Sequence, residues 1–367
     1  MSISTKKRIL GILGLALAAG VILAVSVLSR KGEGSGGAAS SETNRGFAMG
    51  SAVSVQLYGK DAGNRSAEVI REISRLDEQV ISWRAEASEL AAWNRSAEAG
   101  AKTEVSRELG LAVEKSLELS KRSEGALDLT LRPVLDTWGI ENGTPETFRV
   151  PSEEELKKAA ERTDLAGAKK DAVLCEKGDG DSYLLSRGRK ELTLDLGAVG
   201  KGYALDVAYD LLRTDAEITG GVVAVGGSVL VYGEKDGGGE FKVGIRDPEG
   251  LPEDILGVIT FPSGTKKQCV STSGGYEKVI EKDGVKYHHI IDPSTLHPAE
   301  SGLKSVTVIS EDGLLSDGLS TACFILGEEK AKELLKTYGA EGVLIRSDGS
   351  VYSTPGIEKQ VELKQEN

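Results

Sequence analysis

The chain has 367 residues, of which 57 are acidic and 45 are basic, so its formal net charge is -12. Lysine and arginine are scattered among the acids and form no basic tract, which argues against a nucleic acid as partner. The three cysteines form no CxxC pair and do not combine with the three histidines at zinc-like spacing, so no structural zinc site is indicated.

The N-terminus carries an uncharged apolar stretch, residues 9–28, with three basic residues before it and two after it. At about 1.5 Å per helical residue, this stretch spans roughly 30 Å, the thickness of the hydrocarbon core of a bilayer. We expect an uncleaved, single-pass anchor in the cell membrane, with its amino end in the cytoplasm and the body outside. A cleaved signal peptide is the alternative, because residues 24–26 loosely resemble a small-residue cleavage site.

The remainder divides into a tether and a folded body. Residues 32–44 are rich in glycine, serine and alanine and lack an apolar period, as is typical of a flexible linker. We therefore predict an anchor at residues 1–31, a linker at 32–44 and a single folded unit at 45–367, large enough for one domain or two interlocked lobes.

Helical and strand periods alternate along the body without a detectable repeat. The periods predict strands at residues 50–58 and 192–195, two strand pieces within residues 221–232, and helices at residues 67–83, 106–123, 151–162 and 202–212. This pattern indicates a mixed α and β domain.

Two segments suggest a site. Residues 195–203 form a glycine-rich turn between a predicted strand and a predicted helix, where unpaired N–H groups bind anions and glycine permits close approach. The turn matches neither a Walker loop nor GxGxxG, so alone it is more typical of an ordinary turn. Asp317 and Thr321 lie one helical turn apart, which places a carboxylate and a hydroxyl, ligands suited to a hard cation, on one helix face. Together the segments predict a metal and dinucleotide site.

Further short segments match, in order, the motifs of one known family. They are residues 48–51, 82–84, 88–90 with Asn94, 126–130 with Pro133, 138–139, 195–203, 225–227, 244–248, 271–274 with Tyr276, 288–293, 305–308 and 317–321. The chain resembles the ApbE family, flavin transferases that move FMN from FAD onto a threonine or serine of a protein. The resemblance implies an α+β fold, an ApbE-like mixed α/β domain of two interlocked lobes, preceded here by the N-terminal transmembrane helix.

The resemblance also implies which residues bind FAD and metal. The positions that correspond to FAD contacts are Met49, Trp83, Ala126, Leu127, Asp128, Asp195, Lys201 and Ile290 or Ile291. The positions that correspond to magnesium ligands are Ala198, through its carbonyl, Asp317 and Thr321. Trp83 replaces the usual tyrosine, and it keeps an aromatic face for stacking while an indole N–H replaces the hydroxyl.

The acceptor hydroxyl is a poor nucleophile at neutral pH, so a base is expected near the reacting phosphate. His289 is the favoured candidate because it directly precedes residues 290–293, where members of the family carry a histidine; His288 and His297 are weaker candidates. A structural role for His289, with the imidazole bonded to Asp292 or to backbone, is the alternative.

Two positions depart from the family pattern. Leu296 stands where relatives commonly have glycine, and it would reshape the local turn if that glycine has a positive φ. Gly275 stands where an acidic or amide residue is frequent before Tyr276.

The sequence thus predicts a membrane-anchored, magnesium-dependent FAD:protein FMN transferase. Its expected partners are FAD and a flavin-carrying subunit or domain of a membrane or extracytoplasmic redox system, an expectation from the resemblance. An FAD pyrophosphatase and a membrane-tethered, non-catalytic FAD-binding protein are the alternatives. A third, remote alternative is that the chain is itself an acceptor, since residues 317–322 faintly resemble acceptor sequences.

Overall fold

A computed structural model describes residues 41–164 and 173–364 of the chain. The predicted anchor, residues 9–28, and most of the predicted linker lie outside these residues. Across the two described ranges, no helix is both long enough and apolar enough to cross a membrane.

The described residues form eight α-helices and sixteen β-strands. The strands are β1 Glu42–Ala48, β2 Ser51–Gly59, β3 Thr103–Val105, β4 Val173–Lys177, β5 Tyr183–Arg187, β6 Ile218–Val225, β7 Ser228–Gly233, β8 Phe241–Arg246, β9 Ile255–Phe261, β10 Thr265–Gly274, β11 Val279–Lys282, β12 Val285–His288, β13 Leu303–Ser310, β14 Glu341–Arg346, β15 Val351–Ser353 and β16 Val361–Leu363. The helices are α1 Ala62–Arg75, α2 Glu89–Ser96, α3 Arg107–Arg122, α4 Arg132–Trp138, α5 Glu153–Ala160, α6 Gly200–Leu212, α7 Gly313–Leu326 and α8 Glu328–Tyr338. A π-helical turn, Leu76–Ile81, follows α1 directly.

An eight-stranded sheet organises the molecule, with the strand order β1-β2-β6-β7-β10-β13-β14-β15. Two three-stranded sheets, β16-β9-β8 and β3-β5-β4, and the hairpin β11–β12 complete the strands. Every strand pair in the described part of the chain is antiparallel. The expected mixed fold is therefore confirmed, with helices set against antiparallel sheets.

Apolar side chains collect in three clusters. The largest lies where α1, α6 and α7 pack on the large sheet. A second cluster joins residues of the eight-stranded sheet, such as Val231 and Ile345, to Phe241 and Ile259 of the sheet β16-β9-β8. A third contains residues of α4, α5 and the β11–β12 hairpin. Burial on both faces explains the long apolar runs in the central strands.

Most predicted elements agree with the structure. Strand β2, helices α3, α5 and α6 and the pair β6–β7 lie where the periods placed them. The helix expected at residues 67–83 instead begins at Ala62 and changes to π geometry at Leu76, where Ser82 N–H donates to the Asp77 carbonyl at 3.1 Å. Strand β1 begins at Glu42, so it includes the last residues of the predicted linker.

The strand predicted at residues 192–195 is wrong. These residues form no strand because their backbone groups bond to a side chain and a loop. Asn94 accepts from Leu194 N–H and donates to the Leu194 carbonyl, both at 2.8 Å. Asp195 N–H donates to the Leu129 carbonyl at 2.8 Å. Because its backbone N–H and C=O groups are bonded in this way, the extended segment needs no neighbouring strand, although its apolar alternation is that of a strand.

Candidate functional site

The β1–β2 turn holds Met49 in an unusual conformation. Met49 has φ 54° and Gly50 has φ 67°, the two positive values of a type I′ hairpin turn. The Met49 N–H donates to Asp77 Oδ2 at 2.6 Å, and Asp77 lies in the π-helical turn that leads to Trp83. A left-handed, non-glycine residue that is held by a carboxylate is typical of a functional turn. Asp77 thus bonds both Met49 and Ser82, the residue before Trp83.

Trp83 is half-buried, and two arginines lie over its ring. The Arg132 guanidinium carbon is 3.8 Å from the ring centroid, and that of Arg84 is 4.5 Å away. Both arginines bond Glu141 Oε2, at 2.8 Å and 2.7 Å. Burial alone would raise the pKa of Glu141, but the Arg132 hydrogen bond and the charges of Lys278, Arg132 and Arg84 outweigh it and lower this pKa to about 2. Glu141 therefore stays ionised beside the two arginines that cover the Trp83 ring.

Asp195 lies close to Arg132, and its side chain is 11% exposed. Its Oδ1 accepts from Gly197 N–H at 2.7 Å, and its Oδ2 is 3.5 Å from Arg132 Nη1. Burial raises the pKa of Asp195, while the Gly197 N–H and the Arg132 charge oppose that rise. Asp195 and Trp83, predicted separately, thus share Arg132.

The predicted contact segment 126–128 borders the same region. Ala126 and Leu127 are buried in the largest cluster, so a ligand would meet mainly their backbone. Asp128 Oδ1 accepts from the backbone N–H and the hydroxyl of Thr130, both at 2.7 Å. The segment is a rigid side-chain-stabilised turn.

Helices α6 and α7 cross at two glycines. A Cβ on Gly202 would overlap the Gly313 carbonyl oxygen, and a Cβ on Gly313 would overlap the Gly202 carbonyl oxygen. This close approach lets Gly202 N–H donate to Asp317 Oδ2 at 2.9 Å. Asp317 is 3% exposed, and its Oδ1 accepts from the Ser228 hydroxyl at 3.2 Å and lies 3.5 Å from Lys201 Nζ. The glycine crossing therefore brings the predicted residues Lys201 and Asp317 together.

The crossing also leaves a backbone oxygen open. A continuous helix would direct Gly202 N–H to the Ala198 carbonyl, but that donor is used by Asp317. No residue in the described ranges donates to the Ala198 carbonyl. Thr321 lies one turn after Asp317 on α7, and its hydroxyl is 3.0 Å from the Ser273 hydroxyl. The predicted metal ligands are thus one carbonyl, one carboxylate and one hydroxyl.

The helix start differs from the expected phosphate cradle. Gly200 N–H bonds the Leu196 carbonyl at 2.8 Å, and Gly202 N–H bonds Asp317. In the first turn of α6, as far as the described residues show, only the Lys201 N–H has no acceptor. The helix start thus presents the ammonium group of Lys201, 3.5 Å from Asp317 Oδ1, and not a row of N–H groups.

His289 lies beside Lys201 and Lys278. Its Nδ1 is 3.1 Å from the Glu277 carbonyl, so Nδ1 carries the proton and Nε2 remains an acceptor. Burial and the charges of Lys278 and Lys201 lower the pKa of His289 to about 4. The imidazole is therefore neutral at physiological pH. The alternative bond to Asp292 is absent among the described contacts, whereas the bond to backbone is present.

The other two histidines have evident structural contacts. His288 Nε2 is 3.1 Å from the Ala299 carbonyl, and its ring packs edge-on against Phe324. His297 Nε2 is 2.9 Å from Glu153 Oε1, and the ring packs against Trp138. Neither histidine contacts Lys201, Asp317 or Thr321 in the described contacts.

The structure shows the surroundings of the two departures from the family pattern, Leu296 and Gly275, and of the two predicted contacts Ile290 and Ile291. Leu296 has φ 65°, so leucine occupies the left-handed conformation that favours glycine. A Cβ on Gly275 would lie 3.1 Å from His288 Cδ2, so a larger residue there would require the ring of His288 to shift. Ile290 is buried in the largest cluster and Ile291 in the third, so little of either side chain is open to a ligand.

Sequence reasoning missed four groups that shape the site: Asp77, Arg132, Glu141 and Glu277. The carboxylate of Glu277 lies near Lys201, Arg246 and Lys278, and burial raises its pKa against the effect of those cations. No spacing or motif signals any of the four, because each acts through contacts with residues distant in sequence. Gly202, by contrast, lies in the glycine-rich turn at residues 195–203, which is visible in the sequence.

Known proteins resemble the chain over most of its folded body. The sequence model of the ApbE family matches residues 49–344. The FAD:protein FMN transferase of Treponema pallidum is 34% identical over 224 residues, 58% of this chain and 59% of that protein. The FAD:protein FMN transferase of Escherichia coli K12 is 30% identical over 225 residues, 61% of each chain. The chain thus spans about three fifths of the length of these curated relatives.

Solved structures agree over a larger part of the chain. The crystal structure of the ApbE protein of Thermotoga maritima matches with a TM-score of 0.73 and 29% identity, covering 88% of this chain and 99% of that chain. The flavin transferase ApbE of Vibrio cholerae matches with a TM-score of 0.73 and 25% identity, covering 88% and 100%.

Proposed function

Because the chain belongs to the ApbE family, we propose that it is a transferase that moves FMN from FAD onto a threonine or serine hydroxyl of an acceptor protein and releases AMP. The curated relatives are named for FAD:protein FMN transfer. The observation that supports the proposal most is the position of Asp317. Its carboxylate lies 3.5 Å from the ammonium group of Lys201 and one helical turn before Thr321, while the nearby turn leaves the Ala198 carbonyl without a donor among the described residues.

The oxygens of Ala198, Asp317 and Thr321 suit magnesium. Among the described residues, no group of three or more His, Cys, Asp and Glu side chains could hold a metal ion, and the proposed ligands include one carboxylate, Asp317. Magnesium is commonly bound by one or two carboxylates together with substrate phosphates and neutral oxygens. The Ala198 carbonyl and the Thr321 hydroxyl would supply the neutral oxygens. Bound there, magnesium would neutralise the pyrophosphate of FAD and polarise the phosphorus of its FMN half.

The other residues have distinct proposed roles. Lys201 attracts the pyrophosphate, while Trp83 offers a ring for stacking. The Nε2 of His289 accepts the proton as the acceptor oxygen bonds to phosphorus and the bond from phosphorus to the AMP oxygen breaks. The weak basicity of His289 suits a loose transition state, in which the hydroxyl proton is lost late.

An assay of both products tests the function. The purified full chain would be incubated with FAD, magnesium and a protein that carries a family-type acceptor threonine, and the acceptor mass and free AMP would be measured. We expect one FMN phosphoryl adduct per acceptor and an equal amount of AMP. Asp317→Ala should remove both products, whereas Asp348→Ala, at an exposed carboxylate of the β14–β15 turn, should keep them.

The other outcomes would support other functions. AMP and FMN without an adduct on any tested acceptor would favour the FAD pyrophosphatase. Tight FAD binding with neither product would favour a binding protein. A mass increase on the chain itself would make it an acceptor, which conflicts with Thr321 as a metal ligand.

A further inference from the structure

We propose that Arg132 is a positioning residue of the flavin site, which fixes the Trp83 ring and the Asp195 carboxylate relative to each other. The inference rests on the proposed function, since it concerns how the site receives a flavin nucleotide. It is carried by the position of one guanidinium against an aromatic ring and three carboxylates.

The guanidinium is itself immobilised. Arg132 is 6% exposed, and it lies in the first turn of α4. Its Nε donates to Asp136 Oδ1 at 2.7 Å and its Nη1 to Glu141 Oε2 at 2.8 Å. A planar fork that is held by two carboxylates has little freedom to follow a ligand. Arg132 is therefore a fixed reference point in this wall of the site.

The fixed guanidinium covers one face of Trp83. At 3.8 Å from the ring centroid, Arg132 leaves no room for a second ring on that face. A flavin that stacks on Trp83 must therefore use the face that Arg132 leaves. Contact with a cation also orients the plane of the indole before a ligand arrives.

The same guanidinium faces Asp195. Arg132 Nη1 is 3.5 Å from Asp195 Oδ2, and Glu141 is the other charged group that acts on Asp195. Burial raises the pKa of Asp195, and the Arg132 charge counteracts that effect. Without Arg132, Asp195 would be left with the repulsive charge of Glu141 and would take up a proton at higher pH.

Arg84 provides a matched control. It lies over the same ring at 4.5 Å and bonds the same Glu141 oxygen, but its side chain is 49% exposed and has no contact with Asp195. An arginine this exposed can move aside when a ligand binds, because its ion pair with Glu141 contributes little free energy. Comparing variants of the two arginines therefore separates the general effect of a cation near Trp83 from the positioning role of Arg132.

The experiment measures FAD binding by flavin fluorescence in the full chain, between pH 5 and pH 8, without acceptor. Arg132→Gln should weaken FAD binding about tenfold, because the Trp83 ring must then be ordered when the flavin binds. It should also raise the pH below which affinity falls, here called the acidic limb, because Asp195 would take up a proton at higher pH. Arg132→Lys should restore the limb, because the charge returns, while it restores affinity only in part. Arg84→Gln should change the affinity by less than about threefold.

A double-mutant cycle between Arg132→Gln and Asp195→Asn keeps the test independent of a loss of stability. Positioning predicts that the two effects on FAD affinity are not additive, with the thermal midpoint of each variant as the folding control. Additive effects, an unmoved acidic limb, or equal losses in Arg132→Gln and Arg84→Gln would overturn the inference. If the wild-type chain bound no FAD, the proposed function itself would fail instead.

Discussion

At the scale of single residues, the positive φ of Leu296 places a branched side chain in a conformation that favours glycine. Leu296 N–H donates to the Asp292 carbonyl at 2.8 Å, and the Leu296 carbonyl accepts from Trp138 Nε1 at 2.7 Å. Its side chain packs against the third cluster. These contacts offset the left-handed conformation, which costs a branched residue roughly 1–2 kcal/mol. The sequence signalled the departure, but only the structure shows what compensates it.

Leu296→Gly should therefore change the free energy of unfolding by less than about 1 kcal/mol. Relief of the left-handed strain offsets the lost apolar contact and the greater freedom of glycine in the unfolded chain. Leu156→Ala, at a fully buried position of the same cluster, should cost about 2–5 kcal/mol. Chemical denaturation of both variants checks this, and a loss above 2 kcal/mol for Leu296→Gly would show that side-chain packing dominates.

The neutral state of His289 makes a prediction about pH. A proton acceptor works in its deprotonated form, and the pKa of His289 is lowered to about 4 from its usual 6.5. The rate of FMN transfer should thus stay level as the pH falls through 6.5 and decline only near 4. His289→Ala should lower the rate about 10²–10⁴-fold at every pH in this range.

The measurement is the rate of acceptor mass gain at saturating FAD between pH 4.5 and pH 8, with circular dichroism to confirm that the protein stays folded. A limb near pH 6.5 in the wild-type chain would contradict the depressed pKa. A fully active His289→Ala variant with intact FAD binding would remove His289 from the reaction.

At the scale of elements, local signals predicted what is local. Helix α5 begins with a capping box, in which Ser152 and Glu155 exchange hydrogen bonds, and helix α3 begins at the Ser106 cap. The helices predicted at residues 106–123 and 151–162 begin within two residues of these starts. The segment at residues 192–195 had the period of a strand, but its partners, Asn94 and Leu129, lie far away in the sequence. No local pattern carries that information.

The crossing of α6 and α7 gives the sharpest prediction at this scale. Gly202→Ala would force the two helices apart, since the new methyl group would overlap the Gly313 carbonyl and approach Asp317 Cβ. The cost should be about 1–3 kcal/mol of unfolding free energy, together with loss of FMN transfer as Asp317 moves. Gly200→Ala on the same helix meets only Ile81 Cδ1, at 3.2 Å, so a small side-chain shift accommodates it.

Thermal unfolding and the transfer assay distinguish these variants. Gly200→Ala should keep both stability and activity. If Gly202→Ala behaved like Gly200→Ala, the helices would not need close contact, and the position of Asp317 would have another cause.

At the scale of the whole molecule, the site combines segments from nearly the full length of the body. Met49 comes from the first hairpin, Trp83 from the loop after the π-helical turn, Lys201 from α6 and Asp317 from α7. The order of family motifs predicts these four as site residues because each motif is short and contiguous. It did not predict Arg132 or Glu141, whose effect depends on charges that approach only in the folded chain.

The location of the molecule is the remaining prediction from the sequence, and it concerns the chain before β1. The apolar stretch at residues 9–28, which lies outside the described residues, is the proposed membrane anchor. We expect the full chain to stay with the membrane fraction after washing with high salt and alkali, because a spanning helix resists both. Replacing Ile12 and Leu15 with arginine should release the protein, since each charge in the hydrocarbon costs about 2.5–3.5 kcal/mol. A chain that leaves the membrane with a shortened N-terminus would instead reveal cleavage after the apolar stretch, and protease digestion of intact cells or spheroplasts would establish on which side the flavin site works.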